Sequence, residues 1–150
     1  MLPELKKLGV AAGQKILVHR APKAFTQELR DQAPPDILIS TRLTKRARYD
    51  LIFHFAAPDE NLDGLFETME TALKPDGSLW VVIPKQKQAK QLGYLYDWNA
   101  MIAHALKTTL VDNKTLTFSP EEYGTRFVIR KEMRETRNEK RETRNEKRET

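Results

Sequence analysis

Residues 49–84, YDLIFHFAAPDENLDGLFETMETALKPDGSLWVVIP, decide the fold. The run YDLIFHFAA predicts a buried strand, because it is too short for a typical helix and rich in aromatic and β-branched residues. The segment after it predicts a helix that ends at Lys74, before Pro75, because its apolar residues recur at spacings of three and four. Those residues are Leu62, Leu65, Phe66, Met69 and Leu73.

The end of the same stretch supplies a second strand. PDG at residues 75–77 predicts a turn, and SLWVVIP predicts a buried strand that Pro84 stops. A strand, a helix and a strand in this order form a βαβ unit. Such a unit requires a parallel sheet with a right-handed crossover.

The flanking segments extend this unit on both sides. Upstream, KILV predicts a strand, APKAFTQELRDQ predicts a helix that starts at Pro22, and PPDILIS predicts a strand that ends at Ser40. Downstream, Asp97 is placed to cap a helix that begins at Trp98. KTLTFS and TRFVIRK, joined by PEEYG, predict an antiparallel pair. We therefore predict an α/β fold class: a three-layer, Rossmann-like, mostly parallel sheet with a C-terminal antiparallel strand pair.

Length and composition narrow the classes of protein. At 150 residues the chain has the length of one domain, and its formal net charge is +5. The absence of cysteine excludes disulfides, thiolate zinc sites and cysteine nucleophiles. No run of about 18 apolar residues is present, and MLPELKKLGV lacks the apolar region of a signal peptide. We expect a cytoplasmic protein without a membrane partner.

Basic residues cluster in TRLTKRARYD, which carries four Lys or Arg between residues 42 and 48. Nucleic-acid binders more often interleave such residues with aromatic side chains, so a solvated loop is the favoured interpretation. The expected partner is an unknown protein or a small anionic ligand, and nucleic acid is not favoured. By default we expect a monomer or a weak dimer.

Residues 131–150 differ in character from the rest of the chain, because ETRNEKR occurs there twice in tandem. None of the seven positions is apolar, so the repeat lacks the seam of a coiled coil. Charges of like sign recur at a spacing of four, as in Glu135 with Glu139 and Arg137 with Arg141. We predict a compact domain at residues 1–130 and a charged, flexible tail at 131–150, with a docking segment as the alternative.

The ordered set of motifs resembles the second half of a class I S-adenosylmethionine-dependent methyltransferase. More closely, it resembles a bacterial family of small methyltransferase-like proteins of unknown function. The likeness covers residues 8–130. The matching residues are Ala12-Gly13-Gln14, Val18, Ala21-Pro22, residues 72–77, Leu79-Trp80, Pro84-Lys85 and Arg126-Phe127.

The chain departs from that resemblance at the cofactor contacts. In such methyltransferases an acidic residue and a Gly-x-Gly loop follow the first strand, because glycine permits close backbone approach. Here His19, Arg20, Ala21 and Pro22 stand in that place, and the second strand ends in Ser40 instead of an acidic residue. We therefore predict no cofactor, and in particular no S-adenosylmethionine, although a helix N-terminus still favours an anion.

Ligands of open parallel sheets bind beyond the carboxyl ends of the strands, and two histidines should lie at this edge. The candidate ligand rim consists of His19, Arg20, Ala21, Pro22, His54 and Lys85. Such residues suit a small anion or metal site, or an acid and base pair. The alternative is a buried, hydrogen-bonded His54 and a solvent-facing His19. No catalytic residue and no metal ligand is assigned.

Three functions follow from this interpretation. The leading hypothesis is a methyltransferase-like domain without activity that serves as a binding or interaction module. The first alternative is an S-adenosylmethionine-dependent methyltransferase with an atypical cofactor loop. The second alternative is an anion or nucleic-acid binding domain that uses Arg20, Lys23, Lys85 and residues 42–48.

Overall fold

The structure, a computed structural model that describes residues 2–133, contains a six-stranded sheet. In chain order the strands are β1 Lys15–His19, β2 Leu38–Ser40, β3 Tyr49–Phe55, β4 Leu73–Pro84, β5 Leu110–Ser119 and β6 Glu122–Ile129. They lie in the order β2-β1-β3-β4-β6-β5. The first four strands are parallel, and β6 is antiparallel to both β4 and β5. The predicted fold class is confirmed.

Helices connect the strands, and their ends follow local capping chemistry. They are α1 Leu5–Leu8, α2 Lys23–Gln32, α3 Leu62–Ala72, α4 Gln86–Gln91 and α5 Trp98–Ala105. Asn61 caps α3 by accepting a hydrogen bond from the backbone N–H of Gly64, and Asp97 caps α5 as predicted. The short helix α4 was not predicted, because KQKQAKQ carries no apolar stripe and buries no residue.

Two hydrophobic cores cover the two faces of the sheet, because successive side chains of a strand point to opposite sides. On one face α3 and α5 pack on the strands, with Phe66, Met69 and Met101 fully buried. On the other face α1 and α2 pack around Trp80 and Phe53. This arrangement gives the three layers that the sequence predicts.

The PDG segment differs from its prediction. The helix α3 ends at Ala72, and β4 continues through residues 75–77 without a separate turn. Tyr49 lies opposite Leu73 and Leu51 opposite Ser78, so the pairing contains an irregularity. A side chain at Gly77 would come within 2.9 Å of the Tyr49 carbonyl oxygen, which explains why glycine occupies this position.

The structure bears on the prediction about the membrane and leaves the prediction about the tail untested. Within residues 2–133 no helix has the length and apolar character needed to cross a membrane. Both ETRNEKR repeats lie outside the described residues, so the division at residue 130 stays a prediction.

Candidate active site

The carboxyl ends of β1, β3 and β4 meet at one edge of the sheet, which we call the rim. His19 ends β1 and lies in register with His54, the penultimate residue of β3. Because β6 is antiparallel to β4, its first residues return to the same edge, where Glu122 pairs with Pro84. Residues distant in the sequence are thereby brought together at the rim.

The two histidines and a glutamate form a hydrogen-bonded chain at the rim. The Nδ1 atoms of His19 and His54 are 2.9 Å apart, and the two rings are stacked with centroids 5.0 Å apart. On the other side of its ring, His54 uses Nε2 to contact Oε1 of Glu60. His54 is 1% exposed, so this chain of hydrogen bonds passes through the protein interior before it reaches the surface at His19.

Because Glu60 accepts the hydrogen bond from His54, it determines which ring nitrogen carries the proton in both histidines. An ionised carboxylate only accepts hydrogen bonds, so Nε2 of His54 carries the proton and donates to Glu60. A neutral His54 then has an unprotonated Nδ1, and the Nδ1–H of His19 donates to it. The remaining ring nitrogen, Nε2 of His19, is left with a free lone pair. His19 is therefore equipped to accept a proton.

The surroundings keep both imidazoles neutral at pH 7. Burial is the main cause that lowers the pKa of His54 below its ordinary value of 6.5, and the hydrogen bond and charge of Glu60 oppose that shift. Burial likewise lowers the pKa of His19, with smaller contributions in the same direction from His54 and Arg20. Neutral rings agree with the proton positions derived above.

Arg20 makes the turn that follows β1. Its φ of 58° lies in the left-handed region, which glycine usually occupies at such turns. Its side chain is 59% exposed and turns toward Glu60, with Nη1 of Arg20 3.5 Å from Oε2 of Glu60. The backbone therefore adopts a glycine-like conformation here although no glycine is present.

A cleft with a volume of about 390 Å³ lies beside this turn, between the ends of β1 and β2 and the start of α2. Its lining residues include Arg20, Ala21, Lys23, Thr26, Gln27 and Thr41. Ala21 contributes only a methyl group, so the loop leaves the cleft open. Two cations and three uncharged polar side chains make it suited to a ligand with both charged and hydroxyl groups.

The other predicted rim residues have different positions. Pro22 precedes α2, and its carbonyl accepts hydrogen bonds from the N–H groups of Phe25 and Thr26. Lys85 precedes α4, and its backbone N–H donates to the Glu121 carbonyl at 2.8 Å. Among residues 2–133, the side chain of Lys85 makes no ion pair with the hydrogen-bonded histidines or with Glu60.

Sequence reasoning missed Glu60, although a signal for it was present. The prediction weighed two histidines without a carboxylate, yet Glu60 stands in the loop directly after the β3 strand, six residues beyond His54. A loop at a strand's carboxyl end faces the same edge as the strand's last residues. Residues 2–133 contain no group of three or more His, Cys, Asp or Glu side chains able to hold a metal ion.

Solved structures share this fold at low sequence identity. The N-methyltransferase NodS from Bradyrhizobium japonicum WM9 is 14% identical, with a TM-score of 0.61 over 85% of this chain and 93% of that chain. Its complex with S-adenosyl-L-homocysteine aligns with a TM-score of 0.62, at 14% identity over 83% of this chain and 81% of that chain. An S-adenosylmethionine-dependent methyltransferase from Aquifex aeolicus is 12% identical, with a TM-score of 0.63 over 83% of this chain and 87% of that chain.

No protein-family model matches the chain, and no curated protein matches it in sequence. The structural neighbours overturn the prediction of no cofactor, since they are S-adenosylmethionine-dependent enzymes and one of them holds S-adenosyl-L-homocysteine. That prediction rested on the close backbone approach that glycine permits, and it did not allow for a residue other than glycine in the same backbone conformation, which Arg20 adopts with a φ of 58°. The leading hypothesis of an inactive binding module is likewise not supported. The chain has the fold of the class I S-adenosylmethionine-dependent methyltransferases.

Proposed function

We propose that this protein is a methyltransferase that binds S-adenosylmethionine in the cleft beside Arg20. One observation carries the proposal: an open cleft at the ends of β1 and β2 is lined by Arg20 and Ala21, the two residues that directly follow His19 in the chain. The fold of NodS, whose complex contains S-adenosyl-L-homocysteine, supports the same assignment.

The cleft residues fit the chemical groups of the cofactor. Arg20 and Lys23 are cations suited to a carboxylate, such as the one at the amino-acid end of S-adenosylmethionine. Thr41 and Gln27 offer hydroxyl and amide groups to the ribose hydroxyls, in place of the acidic residue that β2 lacks. When bound, the cofactor supplies an electrophilic methyl group.

His19 serves as the proton acceptor in this proposal. An N–H or O–H group that becomes methylated must lose a proton, and Nε2 of His19 has the lone pair to take it. The imidazolium that forms still donates from Nδ1 to His54, and His54 donates to Glu60. The negative carboxylate at the end of the chain stabilises the new positive charge. This role makes His54 and Glu60 positioning residues and His19 the catalytic base.

The first test of the proposal is a titration of the full chain with S-adenosyl-L-homocysteine by calorimetry and amide NMR. We expect saturable binding with shifts at Arg20, Ala21 and Thr41. Exchanging the exposed Lys23 for glutamate should weaken binding at least tenfold, since about 1.4 kcal/mol separates each factor of ten. The matched control is the same exchange at Lys6, exposed on α1. Flat titrations at millimolar ligand, or equal effects of the two variants, would overturn the proposal.

A further inference from the structure

A second cavity lies at the rim beyond the end of β4, between α4 and the start of α5. Its volume is about 380 Å³. Four aromatic side chains line it, together with one carboxylate: Tyr94, Tyr96, Trp98, Tyr123 and Asp97. This concentration of aromatic rings stands out in a chain that is 8% aromatic. We call this cavity the aromatic pocket.

Hydrogen bonds fix the rings of the aromatic pocket in place. The hydroxyl of Tyr94 donates to the Ala56 carbonyl at 2.9 Å, and the hydroxyl of Tyr96 donates to the Ala57 carbonyl at 2.6 Å. The centroids of these two rings are 5.7 Å apart, and their planes meet at 75°. The two tyrosines therefore form the walls of a rigid corner, and their polar tips are already engaged by the protein.

The polar end of the third ring is also engaged, because Nε1 of Trp98 donates to Oγ1 of Thr125 at 2.9 Å. What these side chains offer a ligand is consequently their π systems. The negative face of an aromatic ring attracts a cation, with tryptophan the strongest and tyrosine next. A pocket with three such rings is a suitable site for an organic ammonium ion.

Carboxylates reinforce the preference for a positive ligand. Burial raises the pKa of Tyr94, and the negative charges of Glu122 and Glu60 raise it further. Burial and the charge of Asp97 similarly raise the pKa of Tyr123. The smaller, electrostatic contributions to these two shifts come from carboxylates, which therefore lie close enough to the rings to favour a positive ligand. Lys90 is the cation among the lining residues, and its side chain is exposed on α4.

We infer that the aromatic pocket binds a small alkylammonium ligand, and that the methyl acceptor of this protein is an amine. The inference deepens the proposed function. The role of the amine as methyl acceptor rests on the proposed methyltransferase activity, whereas the binding of an ammonium ion does not. Ala56 and Ala57, which hold the two tyrosines, directly follow β3, the strand that carries His54. An ammonium ion must release a proton before its nitrogen accepts a methyl group, and the methylated product is again a cation. The pocket thus suits both the acceptor and the product.

Choline and its neutral isostere 3,3-dimethylbutan-1-ol test this inference directly. The full chain, without cofactor, is titrated with each probe while the indole N–H of Trp98 and the amides of Tyr94 and Tyr96 are followed by NMR. We expect choline to bind at least tenfold more tightly, because the two probes differ in charge and share their shape. Equal binding of both probes, or no binding of choline up to about 100 mM, which corresponds to a binding free energy of about −1.4 kcal/mol, would overturn the inference.

Matched variants identify the groups responsible. Tyr96→Phe keeps the ring and should bind choline within about twofold of the native chain, whereas Tyr96→Leu should lose at least about fivefold. Asp97→Asn preserves a capping side chain for Ala100 and removes the charge, so choline binding should weaken while binding of the isostere stays unchanged. Asp112→Asn, exposed on β5, is the control and should change neither. Equal losses in Tyr96→Leu and Tyr96→Phe would contradict the role assigned to the ring.

The two proposals fail separately in these experiments. Choline binding without binding of S-adenosyl-L-homocysteine would retain the aromatic pocket and remove the methyltransferase proposal. Binding of S-adenosyl-L-homocysteine without a preference for choline would retain the methyltransferase and remove the amine acceptor.

Discussion

Replacing Glu60 by glutamine should destabilise the protein by about 1–2 kcal/mol. The carboxylate accepts a charge-assisted hydrogen bond from His54, and glutamine leaves a neutral one. Hydrogen bonds to charged groups contribute about 1.5–3 kcal/mol and neutral ones about 0.5–1.5, so the exchange costs about 1 kcal/mol. The pair with the exposed Arg20 adds at most about 1 kcal/mol. For a domain of this length the melting temperature should fall by about 2–8 °C.

Denaturant unfolding of Glu60→Gln at pH 7.5 measures this loss, and Glu67→Gln, exposed on α3, is the control. A second readout is NMR titration of the two imidazoles. Because the carboxylate favours the protonated ring, its removal should lower the pKa of His54 further. Equal stability of Glu60→Gln and Glu67→Gln, together with an unchanged pKa of His54, would refute the role assigned to the hydrogen bond between His54 and Glu60.

Three further predictions concern stability. Because the pKa values of His19 and His54 are lower in the folded chain than the ordinary 6.5, stability should be complete above pH 6.5 and fall as the pH drops below it. His19→Gln should reduce that pH dependence in denaturant unfolding at pH 7.5 and 5.5, and an unchanged dependence would contradict the shift. Gly124→Ala places a methyl group 2.4 Å from Phe118 Cε1, so thermal unfolding should show a loss of about 1–3 kcal/mol. Removing residues 134–150 should leave the melting temperature within about 1 °C, and a larger fall would show that the tail supports the domain.

The predicted fold was confirmed because the sequence patterns that specify it lie between residues close in the chain. The helical spacing from Leu62 to Leu73 and the apolar strands on either side specify a βαβ unit without information from the rest of the chain. The PDG segment was mispredicted because its conformation depends on a neighbour. Pairing of β4 with Tyr49 and Leu51 keeps residues 75–77 in the strand, against their turn propensity.

The candidate site was predictable only in part. The order of the strands, known from the resemblance, places His19 and His54 at one edge. Glu60 and the tyrosines were missed because loops carry no periodicity that would indicate where they lie. Arg20 was judged by residue type, yet backbone conformation decides whether the turn is made, and an arginine can adopt the left-handed region at a modest energetic cost.

The sequence by itself determined the α/β class, the parallel order that βαβ connections impose and the two apolar faces of the sheet, because periodicity and propensity act between residues close in the chain. Only the tertiary structure decided the chemistry of the rim. The chain from His19 through His54 to Glu60, and the walls that Tyr94 and Tyr96 form against Ala56 and Ala57, depend on contacts between separate segments. Such contacts exist only once the sheet has brought those segments to a common edge.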